Sequence, residues 1–475
     1  MKRFLFALLA AVMLLGVAVA VAEPIDIQYD LISEVWIYEP RVTAIALEFD
    51  KPLACAFDLT GSFRVNAELK ELVSLENLPV ADSSWPMSPR KITAAYTSDT
   101  AKTGKICEGN FVILELSDTD SNAASTYISL KRSTQEGGAE NGWNNGREIL
   151  PYGENMIYDI QMLYAIRYLD GTSTGTDVNF VRRNEWTVIA DDFVPAVYTS
   201  DTTTVTINVN NEEKAINSIG YTLYSPPNPV EGEKYPLVVY LHGSSCRSIY
   251  EDDVDDVMTP VLTNQGAITW VKYGSENCYV FVPQYEFALY PLVKEAFQSI
   301  LADESLAIDP NRIYLSGLSM GGMSSMAMLC EDEFADTFAA ALINCGFPIS
   351  DPTSVIYDAP SEEHAAKLQR VIDNGTQIWL VHSDIDPTVP VVGSFFCFKA
   401  MNGMASDADM PEPTEITDEY TYWEVLDGQL RFNEMHFIAG QRNTNLNMYS
   451  VSPHEVYEHS YSTPSFIEWL FNQSK

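Results

Sequence analysis

The chain has 475 residues, 66 acidic against 28 basic, and a net charge of −38 at neutral pH. Such a surplus of negative charge is repelled by nucleic-acid phosphates and suits a soluble protein that resists self-association. The length exceeds what a single hydrophobic core serves and leaves room for two domains.

Lys2 and Arg3 form a basic start, Phe4 to Val21 an apolar run, and Ala20-Val21-Ala22 a small-residue site. That order is the layout of a secretory signal peptide over residues 1–22, cut after Ala22. A retained anchor is the alternative, because the run is nearly long enough to cross a bilayer. No later segment is apolar over such a length, so no membrane span is expected after cleavage. Seven cysteines in an exported chain permit disulfides but leave at least one without an internal partner. Cys55 and Cys107 are the pair available in the first half.

From Ile25 to about Pro195 the chain reads as strands. "VTAIALEFDKPL" (42–53), "FVILELSD" (111–118) and "EWTVIADDF" (185–193) are β-rich runs broken by turn residues, which predicts a β-sandwich. "MIYDIQMLYAIRYL" (156–169) scores as a helix, yet its Tyr and Ile content favours a strand pair. After about Asn210 strands and helices alternate. "YPLVVYLHG" (235–243), "CYVFVPQ" (278–284), "RIYLSGLS" (312–319), "AAALINCG" (339–346) and "QIWLVHSD" (377–384) are continuous apolar strands, with helical stretches such as "PLVKEAFQSILADE" (291–304) between them. Such strands belong to a mostly parallel sheet covered by helices on both faces. The expected organisation is a β-rich domain over 23–205 and an α/β domain over 206–475.

Gly317-Leu318-Ser319-Met320-Gly321 matches G-x-S-x-G, with a strand before it and the helical stretch "MSSMAMLCEDEFA" after it. In a strand–turn–helix elbow the serine is held in a strained conformation above the sheet, and glycines avoid clashes with the neighbouring strand and helix. Ser319 is therefore the candidate nucleophile. A hydroxyl needs a base, and only six histidines are available. The elbow fold runs in the order Ser, acid, His. His242 comes too early, His382 precedes the best acids, and His364 lies in an apparent helix. His436, His454 and His459 remain, with a modest preference for His454 in its loop before the final helix. Asp384 and Asp386, in "HSDIDPTVP", both qualify as the orienting acid; the bland alternative is that they cap the next helix. The five-residue step from His454 to His459 does not fit a helical zinc pair, so no metal is expected. An oxyanion hole needs two N–H groups, expected from Met320 and from Ser244 in "LHGSS". His242 reads as a residue that organises that loop. The acidic run 251–256 reads as a solvated loop in preference to a calcium site.

With these residues in place the chain resembles the secreted α/β-hydrolase esterases that carry an N-terminal immunoglobulin-like domain, close to feruloyl-esterase, polyhydroxybutyrate-depolymerase and prolyl-oligopeptidase-like enzymes. "YPLVVYLHG", "DPNRIYLSGLSMGGM", "FADTFAAALINCG", "HSDIDPTVPV" and "HEVYEHSYSTPSFIEWLF" occur in the family's order. The resemblance implies Asp386 as the acid, four residues after His382, and His454 as the base. It also implies a pocket position for Trp270. Ser383 in place of the family's glycine and Tyr457 in place of its tryptophan are departures that bear on the pocket. The implied activity is hydrolysis of carboxylic esters through an acyl-enzyme, without a cofactor, on plant-cell-wall polysaccharide esters of feruloyl or acetyl xylan type. A serine peptidase with the same triad is one alternative, and a carbohydrate-binding protein with an inactive hydrolase half is another.

Overall fold

A computed structural model describes residues 25–36, 39–70, 84–130, 147–209, 212–246, 254–348, 362–436, 442–443, 448–449 and 452–475. The expected signal peptide lies outside these residues, as do the side chains of the acidic run 251–256. Among the described residues no helix is long and apolar enough to cross a membrane.

The first domain is built from strands whose residues alternate between core and surface. In Phe63–Leu69 the side chains of Phe63, Val65, Ala67 and Leu69 are buried while those between them face outward, the period of two that a strand imposes. Val178–Thr187, Ile25–Val35, Pro40–Leu53, Gly109–Leu116 and Ile92–Ser98 form a five-stranded sheet in that order. Trp85–Arg90, Phe63–Leu69 and Met156–Met162 form a second, three-stranded sheet. One apolar core, with Leu31, Leu47, Val65 and Leu114 among its members, draws on strands of both sheets. Met156–Met162 opens the segment that could be scored as a helix; its alternating burial makes it a strand. Arg90 is buried, and its guanidinium is satisfied by Val42 O at 2.8 Å, Ser117 O at 2.9 Å and the Asp120 carboxylate at 3.1 Å. Cys55 and Cys107 are free thiols.

The second domain has a ten-stranded sheet. Its strands, numbered in chain order, are β1 Phe193–Thr199, β2 Ser218–Tyr224, β3 Tyr235–Leu241, β4 Tyr279–Pro283, β5 Ile308–Leu318, β6 Ala340–Asn344, β7 Gln377–Ser383, β8 Glu415–Ile416, β9 Tyr420–Val425 and β10 Leu430–Met435. Their spatial order is β1-β2-β4-β3-β5-β6-β7-β10-β9-β8. The centre, from β4 to β10, is parallel, and the two margins are antiparallel. Every residue of β3 and β6 is buried, as expected of strands covered on both faces. The described helices are α1 Val254–Thr263, α2 Gln265–Tyr273, α3 Tyr290–Ala302, α4 Met320–Cys330, α5 Glu362–Asp373, α6 Val392–Met401, α7 Tyr457–Ser462 and α8 Pro464–Phe471.

The change of domain falls earlier than the 205/206 boundary read from the sequence. β1 pairs with β2 along its whole length, Phe193 opposite Tyr224 and Thr199 opposite Ser218, so residues 193–199 already belong to the second sheet. The reason is physical: β1 is an antiparallel edge strand with alternating exposure, and that pattern is the same one a sandwich strand shows. The two domains touch where Arg147–Pro151 runs beside α1, and Lys272 Nζ stands 3.5 Å from Glu34 Oε2.

Candidate active site

β5 ends at Leu318, α4 begins at Met320, and Ser319 between them has φ 54° and ψ −118°. A positive φ at a non-glycine residue is strained and is held only when the surroundings over-determine it. Here the elbow is gripped by close backbone packing. A Cβ on Gly321 would lie 1.9 Å from Leu241 O, and one on Gly317 would lie 2.4 Å from Gly321 O. Neither carbonyl can retreat without moving its strand or helix. Gly321→Ala should therefore cost about 3 kcal/mol of stability, since overpacking against backbone is at the upper end of such effects. Chemical denaturation checks this; an unfolding midpoint equal to that of the wild type would refute it.

His454 lies on the turn Pro453–Val456, and its own N–H donates to Ser452 Oγ at 3.3 Å. Its Nε2 is 3.0 Å from Ser319 Oγ, and its Nδ1 is 2.7 Å from Asp386 Oδ2. Asp386 follows the end of β7 and its side chain is wholly buried. Its Oδ1 accepts the backbone N–H groups of Thr388 at 2.8 Å and Val389 at 2.9 Å. One carboxylate thus both organises its own turn and receives the imidazole. Burial alone would raise its pKa, but the hydrogen bonds from His382 and His454, with the charge of His454 and the Val389 N–H, outweigh it and hold the carboxyl well below the usual range.

The other sequence candidates lie elsewhere. Asp384 donates its backbone N–H to Met435 O, and its carboxylate accepts from Ser383 Oγ at 3.4 Å. His436 Nε2 is 2.9 Å from Thr421 Oγ1, and His459 sits edge-on to Phe466, where burial lowers its pKa to about 4. His242 is fully buried, with Nδ1 2.8 Å from Gly243 O and Nε2 accepting the Tyr285 N–H at 3.3 Å. Burial lowers its pKa to about 4, so the ring is neutral and braces the loop after β3.

Ser244 opens a short turn directly after that loop, and Met320 is the first residue of α4. β3 and β5 are parallel neighbours with Leu241 opposite Gly317, so both residues leave the sheet at the same carboxyl-terminal edge. The start of α4 also directs its free N–H groups and positive dipole end there.

Trp270 corrects the expectation of a pocket residue. It is fully buried on α2, packed edge-on against Tyr461 at 6.0 Å, and belongs to the core. An indole of that size at helical spacing serves packing as readily as binding, and sequence does not distinguish the two. His382, set aside because it precedes the acid, turns out to stand beside it: Nε2 is 3.3 Å from Asp386 Oδ2. Its spacing of four residues from Asp386 across a tight turn was the available signal.

Residues 28–175 match the family model of the esterase Ig-like N-terminal domain. None of the curated proteins matches this sequence. Among solved structures the chain is similar to a thermostable esterase, with 23% identity and a TM-score of 0.64 over 94% of this chain and 99% of that one. It overlaps more loosely with a ferulic acid esterase, at 13% identity and TM-score 0.32 over 58% of this chain and 99% of that one. The acylaminoacyl peptidase of Pyrococcus horikoshii gives 14% identity and TM-score 0.35 over 81% and 56%. The N-terminal match and the order of the ten-stranded sheet together identify the architecture as an α/β-hydrolase domain preceded by an immunoglobulin-like β-sandwich.

Proposed function

We propose that this protein is an exported serine esterase that hydrolyses carboxylic esters. The observation that carries the reading is the chain of contacts from Ser319 Oγ through His454 to Asp386, at 3.0 and 2.7 Å, with Ser319 held on a strained elbow. Ser319 Oγ attacks the ester carbonyl carbon while its proton passes to His454 Nε2. Asp386 stabilises the imidazolium, and the N–H groups of Met320 and Ser244 receive the negative charge on the former carbonyl oxygen. Collapse breaks the bond to the alkoxy group, which leaves as an alcohol with the proton from His454. Water then attacks the acyl-enzyme with His454 as base, releasing the carboxylic acid and restoring Ser319. These steps need no cofactor.

The proposed substrates are cell-wall polysaccharides carrying feruloyl or acetyl esters. The support is the resemblance of the motifs to feruloyl esterases together with the signal-peptide layout expected from residues 1–22. Hydrolysis of p-nitrophenyl acetate, methyl ferulate and a chromogenic proline peptide by the purified protein tests both parts. Ester turnover with the peptide untouched is expected, and the ratio of ferulate to acetate rates reports the acyl preference. Cleavage of the peptide alone would replace the esterase reading with a peptidase.

A further inference from the structure

Two imidazoles, not one, meet the carboxylate of Asp386. His382 is at the end of β7, and its ring is wholly buried. Its Nε2 is 2.9 Å from Val389 O and 3.3 Å from Asp386 Oδ2. A carbonyl oxygen only accepts, so Nε2 must carry a hydrogen, which it donates to that carbonyl with the carboxylate close by on the same side of the ring. With the proton on Nδ1 instead, the Nε2 lone pair would face two oxygens in a wholly buried site, a costly arrangement. Nδ1 is 2.7 Å from Ser394 Oγ, on α6, and that hydroxyl lies 3.3 Å from Gly346 O. With the hydrogen on Nε2, Nδ1 accepts from the Ser394 hydroxyl, which fixes the orientation of the ring. Nε2–H is thereby aimed at Val389 O, with Asp386 Oδ2 3.3 Å from the same nitrogen.

Resting on the esterase reading, we propose that His382 is a positioning residue: its Nε2–H, kept in place by Ser394, shares Asp386 Oδ2 with His454 and tempers the carboxylate's hold on the imidazolium. Among the described residues, Asp386 Oδ2 lies 2.7 Å from His454 Nδ1 and 3.3 Å from His382 Nε2. A positive hydrogen on one side of that oxygen withdraws charge from the other side and so weakens its hold on the His454 ring. Among the described residues, the other ionisable groups near this cluster include a thiol, a phenol and three carboxyls. Cys345 approaches the carboxylate from the end of β6, and burial holds its thiol neutral. Tyr457 on α7 lies with its ring 6.1 Å from that of His454 and is likewise kept protonated by burial. Glu455 and Glu458 stand near Tyr457, and Glu434 on β10 is opposite His382 in register. Of these, Cys345 brings its sulfur within 4.8 Å of both the His382 nitrogen and the Asp386 carboxylate.

The test compares His382→Leu, His382→Gln, Ser394→Ala and Ser394→Thr with the wild type. The rate of Ser319 labelling by a fluorophosphonate, and kcat and KM for p-nitrophenyl acetate, are measured from about pH 4 to 9, where the acid limb reports the base of the free enzyme. His382→Leu should move that limb up by about one pH unit, because a carboxylate relieved of one donor binds the imidazolium more tightly. It should also lower kcat about ten-fold with KM unchanged. Glutamine, whose amide nitrogen reaches the Nε2 position, and Ser394→Thr should restore the wild-type limb. Ser394→Ala should shift it in the same direction by less, and this variant decides the matter if His382→Leu does not fold. A folded His382→Leu or Ser394→Ala whose limb coincides with that of the wild type overturns the inference alone. Failure of wild-type Ser319 to react with the fluorophosphonate overturns the esterase reading and the inference with it.

Discussion

Ser319→Ala is expected to lower turnover of p-nitrophenyl acetate about a million-fold, to the residual rate that binding and the oxyanion donors supply on their own. The size of the loss follows from the way the site is assembled. His454 at 3.0 Å and Asp386 behind it serve no other described nucleophile, so removing the hydroxyl idles the base and the acid together. The strained backbone at residue 319 makes the variant informative as well, since alanine keeps the fold's elbow while deleting only the oxygen. Assays of wild type and variant side by side, with circular dichroism to confirm the fold, give the comparison. Equal rates would mean that the glycines shape a structural turn and that the chemistry lies elsewhere.

A second large effect is expected on stability. Glu458 lies on α7, directly after the turn that carries His454, and is 5% exposed. Its Oε2 has no hydrogen-bond partner among the described residues. Burial, and secondarily the charge of Glu455, raise its pKa from 4.5 to about 8. Below pH 4.5 the carboxyl is protonated in both folded and unfolded chains and costs nothing. As the pH rises towards 8, the unfolded chain releases its proton and the folded one keeps it, so stability is lost across that window. Above pH 8 both states are ionised and the penalty is constant. Glu458→Gln has no charge to bury. Its advantage over the wild type should be near zero at pH 4 and grow to roughly 4 kcal/mol by pH 8 to 9. Urea unfolding of both proteins across that range measures it, and a difference independent of pH would refute the assignment.

The sequence by itself determines the parts of this protein that rest on neighbouring residues. The buried strands β3, β5, β6 and β7 are legible because a strand covered on both faces has to be apolar throughout. The elbow is legible because a positive φ at Ser319 and the approach of Leu241 O within reach of residue 321 demand glycines at fixed offsets. What sequence leaves open are the choices that depend on where distant segments meet. Spacing alone leaves three histidines and two aspartates as partners for Ser319, and family resemblance rather than local physics points to His454 and Asp386. The fold alone brings residues 319, 386 and 454 within hydrogen-bonding distance, because β5 and β7, with β6 between them, end at one edge of the sheet and the C-terminal turn docks there. The domain boundary near residue 190 and the burial of Trp270 are likewise tertiary facts, since an edge strand looks like any antiparallel strand and a core indole like a binding one. The role of His382 is the furthest from view. Its orientation is imposed by a backbone carbonyl at Val389 and a hydroxyl on α6, and neither a carbonyl's direction nor a helix's docking is written in the identity of the residues.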